Sequence, residues 1–310
     1  MRQEPHAHQA DSPLKDNKGN TNIIISFLAD FAGIFMLIGL SMAYKRRYID
    51  KPDYLSATKP SREKWMFLML FLLVVIGYFL EGMRIVGAGM PTNESVWSPF
   101  GFMMAKAIFT LGINESTLIM IYKGTWLFHM INTMVFIASI GHSKFFHIIA
   151  LPFNSLITPE KRGGVMEPMD FEDETAETFG LGKASELTSK QRMDTLSCVE
   201  CGRCTQVCPA NLAGRPLDNK KIITKTRDVL ETNKDKEDVD FWETQTFTAA
   251  ELDSCTTCGA CMEECPANIE HVQSIMGLKR YKALTLGEIP ADAATTINNI
   301  KINGNPWGVS

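Results

Sequence analysis

Apolar and polar positions follow two unlike patterns along this chain. Between residues 23 and 147 apolar residues run almost unbroken for twenty or so positions at a time, and from residue 160 onward they recur among charges and turn residues. Three runs are long enough to cross a bilayer as helices, which takes about 20 residues: 23–44, 65–85 and 117–140. A fourth, 97–113, is shorter and holds Pro99, Gly101, Lys106 and Gly112, so it predicts an interfacial or re-entrant helix. In the second region "KKIITKTRDVLET" and "FTAAELDSC" have helical spacing. The latter opens on Thr248 with Glu251 three positions on, the pattern of a capping box. The expected fold is all-α: a three-span transmembrane helical domain, then a helical soluble domain.

Charge orients the spans. Residues 45–64 hold seven Lys/Arg, residues 86–116 hold only Lys106, and Lys144, Lys161 and Arg162 follow the third run. By the positive-inside rule, 45–64 and everything after 140 are expected in the cytoplasm and the N-terminus outside, in a prokaryotic inner membrane. Residues 1–22 are polar, with neither the apolar core nor the cleavage site of a signal peptide. The net charge of −4 over 310 residues argues against nucleic acid as a partner. The expected divisions are a polar tail (1–22), a membrane domain (23–157), an acidic linker (158–186) and a cysteine-rich domain (187–310).

Ionisable residues inside apolar runs cost free energy and mark sites or interfaces. Asp30, Glu81, Arg84 and Lys123 all fall toward the outer leaflet, either as residues reaching the interface or as a quinone or haem-propionate site. His129 and His147 are 18 residues apart. On one continuous helix that is five full turns and a ~27 Å rise, so both would share one face near opposite leaflets. That registry suits axial ligands of one or two b-type haems. His142 lies ~140° off that face and is the weaker candidate.

All eight cysteines lie in the second region. "CVECGRCTQVCP" (198–209) and "CTTCGACMEECP" (255–266) are both C-x2-C-x2-C-x3-C-P. Eight thiolates at this spacing suit two [4Fe–4S] clusters, and in two-cluster ferredoxins the fourth cysteine of each run serves the other cluster. That pattern assigns Cys198, Cys201, Cys204 and Cys265 to one cluster, and Cys255, Cys258, Cys261 and Cys208 to the other. Disulfides are rare in the cytoplasm. Zinc also takes C-x2-C pairs, but two such four-cysteine runs, each followed by proline, favour clusters.

Residues 129–156, "HMINTMVFIASIGHSKFFHIIALPFNSL", resemble the last membrane helix of the respiratory nitrate reductase gamma-subunit family, with Ser143-Lys144 before His147 and Pro152 after it. The run ending in "AYKRRYI" resembles that family's helix closing on Arg-Arg. The family's partner histidines come from an upstream helix that these residues do not show. Second haem ligands are therefore expected from another membrane subunit, from a methionine such as Met36 or Met83, or not at all. The 46-residue helical insert between the cysteine runs resembles the α-helical ferredoxin of succinate dehydrogenase and heterodisulfide reductase subunits. "IEHVQSIMGLKR", with His271, is similar to the latter, and His271 is read as structural or as tuning a cluster.

The whole resembles membrane-bound heterodisulfide reductase-like oxidoreductases, some of which are proposed to link electron-transferring flavoprotein to menaquinone. The resemblance implies an electron-transfer subunit relaying electrons between a cytoplasmic flavin or iron–sulfur partner and haem b or (mena)quinone. The family's cysteine-rich CCG domain is expected on a partner chain or on further sequence. No nucleotide-binding glycine loop or nucleophile–base set points to a self-contained enzyme. The alternative is a ferredoxin relay on a haem-free membrane anchor that docks a soluble dehydrogenase.

Overall fold

A computed structural model describes residues 20–55, 60–90, 97–159, 166, 168–174, 178–233 and 238–309. The polar tail up to residue 19, and much of the segment 158–177, lie outside the described residues. Among the described residues every extended element is a helix, and they divide into two compact units. One contains the helices between Asn20 and Ile140. The other contains Asp53–Leu55 and everything described from Lys144 onward.

The first unit comprises α1 (Asn20–Tyr44), α2 (Pro60–Gly87), α3 (Pro99–Thr110) and α4 (Glu115–Ile140). The stretches Ile24–Asp50 and Glu63–Gly87 are each long and apolar enough to cross a membrane; α4 meets that test only when joined to Lys144–Ile157 across a break. Two or three membrane crossings follow among the described residues. Helix α1 runs into a π turn over Lys45–Asp50. There Arg47 Nη2 donates to Glu63 Oε1 at 2.8 Å and Tyr48 Oη donates to Glu63 Oε2 at 3.1 Å, tying the end of α1 to the start of α2.

Helix α3, at twelve residues, is too short to span and packs on α2 around Met83, Ile108 and Leu118. Its first N–H groups have no partner within the helix, and Ser98 at the N-cap position supplies no side-chain bond. Asp30 of α1 does so from a distance: Oδ2 accepts from Phe100 N at 2.9 Å and Oδ1 from Gly101 N at 3.0 Å. A carboxylate at a helix N-terminus is also favoured by the helix dipole. Asp30→Ala should destabilise this unit by roughly 2–3 kcal/mol, since it leaves one buried and one part-buried donor without an acceptor. Thermal unfolding in detergent measures this, and a cost under ~0.5 kcal/mol would reject the capping role.

The second unit starts at Lys144. Helix α4 ends at Ile140, a turn covers 141–143, and α5 (His147–Ile157) begins anew. The expectation that His129 and His147 share one face of one continuous helix therefore does not hold: the break interrupts the register. Helix α5 packs on α6 (Ser189–Ser197). Next come α7 (Arg203–Gln206), α8 (Pro209–Leu212), α9 (Asn219–Thr232) and α10 (Ala249–Asp253). The chain closes with α11 (Ala260–Glu263), α12 (His271–Arg280) and α13 (Ala291–Asn303). The expected capping box on α10 is present: Thr248 Oγ1 accepts from Glu251 N at 3.2 Å and Glu251 Oε2 from Thr248 N at 3.0 Å. The core gathers Leu217, Ile222, Phe241, Leu252, Ile275 and Leu278. Leu181, near the end of the expected linker, is buried against it, with its N–H donating to Gly277 O at 2.8 Å.

Candidate iron–sulfur sites and membrane-unit residues

The two cysteine runs fold alike. In each, the residue before the second cysteine is left-handed, Glu200 at φ 56° and Thr257 at φ 58°, and the glycine after that cysteine is too, Gly202 at 76° and Gly259 at 78°. Each glycine starts a four-residue helix holding the third cysteine. Thr205 N donates to Gly202 O at 3.1 Å, and Met262 N to Gly259 O at 2.9 Å. A basic side chain pins the first cysteine of each run. Arg227 Nη1 donates to Cys198 O at 3.2 Å, and Lys279 Nζ to Cys255 O at 2.8 Å.

The structure groups the thiols across the runs. Cys198, Cys201, Cys204 and Cys265 line one cavity, together with Lys220 and His271. Cys198 packs in one buried cluster with Cys265, and Cys208 in another with Cys255. Burial pushes the Cys204 thiol up, and Cys198, Cys265 and Cys201 push it the same way. Burial likewise pushes Cys261 up to about 12, with Cys255, Cys208 and Cys258 adding to it. We refer to these sets as site 1 and site 2. All eight thiols are free of disulfides. No three His, Cys, Asp or Glu side chains among the described residues close on a single metal ion. Four thiols spread around a cavity suit a polynuclear cluster better than one ion, and a cluster takes the thiolate form that burial alone disfavours.

The two sites differ in cover. At site 1 Glu200 is buried. It pairs with Lys144 at 2.5 Å and with Arg227. Burial by itself would raise the Glu200 carboxyl; Lys144 and then Arg227 outweigh that and hold it at about 2. The turn Asp53–Leu55 lies over the site, with Lys220 Nζ donating to Tyr54 O at 2.8 Å. A Cβ on Gly202 would come within 2.2 Å of that same oxygen, whereas one on Gly259 meets nothing within 4 Å. Cys258, at site 2, is exposed. Gly259→Ala should thus cost roughly 1–2 kcal/mol in left-handed strain alone. Gly202→Ala should cost clearly more, because it also displaces the Tyr54 turn. Chemical denaturation of both variants checks this, and equal costs would mean that the turn is not seated on the site. His271 is fully buried, and burial holds its imidazole down at about 4, hence neutral. It sits beside site 1, with Nδ1 3.2 Å from Ile269 O.

In the membrane unit the structure brings Asp30 and Glu81 to the start of α3: a Cβ on Gly101 would lie 2.7 Å from Glu81 Cδ. Arg84 is half-buried and Lys123 exposed. Nδ1 of His129 is buried without a hydrogen-bond partner among the described residues. Its neighbour Gly77 would place a Cβ 4.0 Å from His129 Cε1. His147, in the other unit, bonds through Nδ1 to Lys144 O. Met83 is wholly buried in the core of its unit and Met36 is exposed. The Glu200–Lys144–Arg227 set and the Tyr54–Lys220 cover were not foreseen from the sequence. The one local signal was an acidic residue inside a C-x2-C step.

Known proteins resemble this chain in both of its parts. Residues 197–270 match the family described as 4Fe-4S dicluster domain. The EtfAB:quinone oxidoreductase of Syntrophomonas wolfei is 31% identical over 94% of this chain and 45% of its own length. The probable iron-sulfur-binding oxidoreductase FadF of Bacillus subtilis is 29% identical over 92% of this chain and 45% of its own. The probable membrane-anchored ferredoxin of Chromohalobacter salexigens is 29% identical over 92% and 43%. The chain thus spans less than half the length of these relatives. No solved structure matches it. Residues 7–161, half of the chain, match the family described as Nitrate reductase gamma subunit, and the chain belongs to that family, with a 4Fe-4S dicluster domain following the membrane helices.

Proposed function

We propose that this chain is the electron-relaying part of a membrane oxidoreductase, with [4Fe–4S] clusters held by Cys198, Cys201, Cys204 and Cys265 and by Cys255, Cys258, Cys261 and Cys208. The observation that carries the reading is the grouping of eight free thiols into two crossed sets within a chain that also has membrane-crossing helices. Bound there, such clusters take up and give back one electron at a time. The protein's own part is positioning and shielding. Arg227 and Lys279 fix the first cysteine of each run, the Tyr54 turn keeps water from site 1, and the Cys258 edge stays open to a soluble partner. The name of the Syntrophomonas relative supplies EtfAB and quinone as partners. We extend both to this chain, with the iron–sulfur unit in the cytoplasm of a prokaryotic cell and the basic segment 45–64 on the same side. Asp30 bonds to the start of α3; a quinone or haem-propionate site in this unit would lie beside Glu81 and Arg84, and Lys123 is exposed.

The test is electron paramagnetic resonance of the full chain, reconstituted with iron and sulfide and reduced, followed by reoxidation with a menaquinone analogue in vesicles. Two cluster signals that disappear on adding the quinone are expected, and absence of any cluster signal rejects the reading. A haem-bearing membrane unit is a second reading. It is supported by the unpartnered Nδ1 of His129 and by the bond of His147 Nδ1 to a carbonyl, which leaves Nε2 available. A reduced b-type α band that is lost in His129→Ala supports it, and no such band in the parent chain rejects it.

A further inference from the structure

Helix α5 has two faces that belong to different surroundings. On one, Ala150 and Asn154 are buried and Leu151 packs beside Cys198 and Cys265. Asn154 Nδ2 donates to Asp194 Oδ1 and to Ala267 O, each at 2.9 Å, so this face is bonded into the iron–sulfur unit. On the other, Ile148, Ile149, Phe153, Leu156 and Ile157 are all exposed, Leu156 to 80%. At ~100° per residue these five side chains fall within one half of the helix circumference. The helix carries no Asp, Glu, Lys or Arg.

Chain continuity identifies what covers that face. Helix α4, with exposed apolar side chains from Met120 to Ile137, ends at Ile140, and α5 starts seven residues later. Seven residues reach at most ~25 Å, so α5 cannot lie far from the end of α4. Nor does α4 need α5 to reach across a bilayer, because its 26 residues rise ~39 Å by themselves, and the inner face of α5 is taken up by Asp194 and Ala267. An apolar face on a short helix beside a membrane segment, with the opposite face on a polar domain, is the pattern of an interfacial helix.

We propose that α5 is a membrane-surface helix. Its Ile148, Ile149, Phe153, Leu156 and Ile157 face rests in the headgroup–acyl boundary, and through Leu151 and Asn154 it holds site 1 at the lipid surface. Site 1 is then the membrane-proximal site. That ordering rests on the electron-relay reading; the lipid contact does not.

The experiment uses the full chain in vesicles of phosphatidylcholine and phosphatidylglycerol, with the photo-crosslinker benzoylphenylalanine replacing Phe153 or Leu156. Leu127 on α4 serves as the membrane reference. Leu212 on α8, 72% exposed, is the reference for the iron–sulfur unit's water-facing surface. After irradiation, lipid adducts at 153 and 156 should be about as abundant as at 127 and at least roughly fivefold above those at 212. Adducts at the level of 212 at both positions, or adducts to protein in place of lipid, overturn the proposal. Cluster absorbance recorded on the same samples is scored separately: its absence in the parent sinks the electron-relay reading while the crosslinks still decide the lipid contact.

Discussion

Cys265→Ala should abolish the cluster signal associated with Cys198, Cys201 and Cys204, and spare that of its own run. Iron per chain should fall by about half, since one of two four-iron clusters is lost. Its residual spectrum should match that of Cys204→Ala, not that of Cys261→Ala; Cys208→Ala should give the reciprocal result. The reason is packing: Cys265 lies with Cys198 and on the cavity of the first run, while Cys208 lies with Cys255. Double variants sharpen the test. Cys204→Ala with Cys265→Ala removes two ligands of one site and should leave about half the iron, whereas Cys261→Ala with Cys265→Ala touches both sites and should leave almost none. If the first pair strips all iron and the second spares half, ligation is run by run and the crossed assignment is wrong.

Apart from the crossed cysteine sets, which came from the pattern of two-cluster ferredoxins, what could be read from the sequence was short-range. Cysteine spacing, the apolar runs and the Thr248–Glu251 box depend on residues within a few positions of one another. What could not be read depends on contacts between distant residues. Asp30 read as an interfacial residue or as part of a quinone or propionate site because its capping partners lie 70 and 71 positions away. The break after Ile140 was hidden because 141–144 is only a brief polar interruption between apolar stretches. What marks α5 as a separate helix is the docking of Asn154 on Asp194, 40 positions away. Lys144 read as a boundary charge, yet its partner Glu200 is 56 positions on. In each case a polar residue placed in an apolar stretch was visible, and its reason lay elsewhere in the chain.

Glu200 carries the second large expectation. It is a buried carboxylate in a left-handed backbone conformation, between Cys198 and Cys201, with Lys144 and Arg227 on its two oxygens. Glu200→Ala should therefore destabilise the iron–sulfur unit by about 3–5 kcal/mol, because it leaves two basic groups without their shared counter-charge. Thr257 is the internal control. It has the same backbone conformation at the matching place in the second run but is exposed, so Thr257→Ala should cost within ~0.5 kcal/mol. Subtracting one from the other removes the contribution of the turn and leaves that of the buried charges. A double-variant cycle of Glu200→Ala with Arg227→Met should show coupling of at least ~1 kcal/mol, since the two groups share one network. Arg227 also holds the carbonyl of Cys198. Glu200→Ala should therefore speed cluster loss from site 1 more than from site 2, followed as bleaching of visible absorbance against chelator. Equal bleaching at both sites, with a stability cost no larger than that of Thr257→Ala, would show that the buried charges play no part in holding site 1 together.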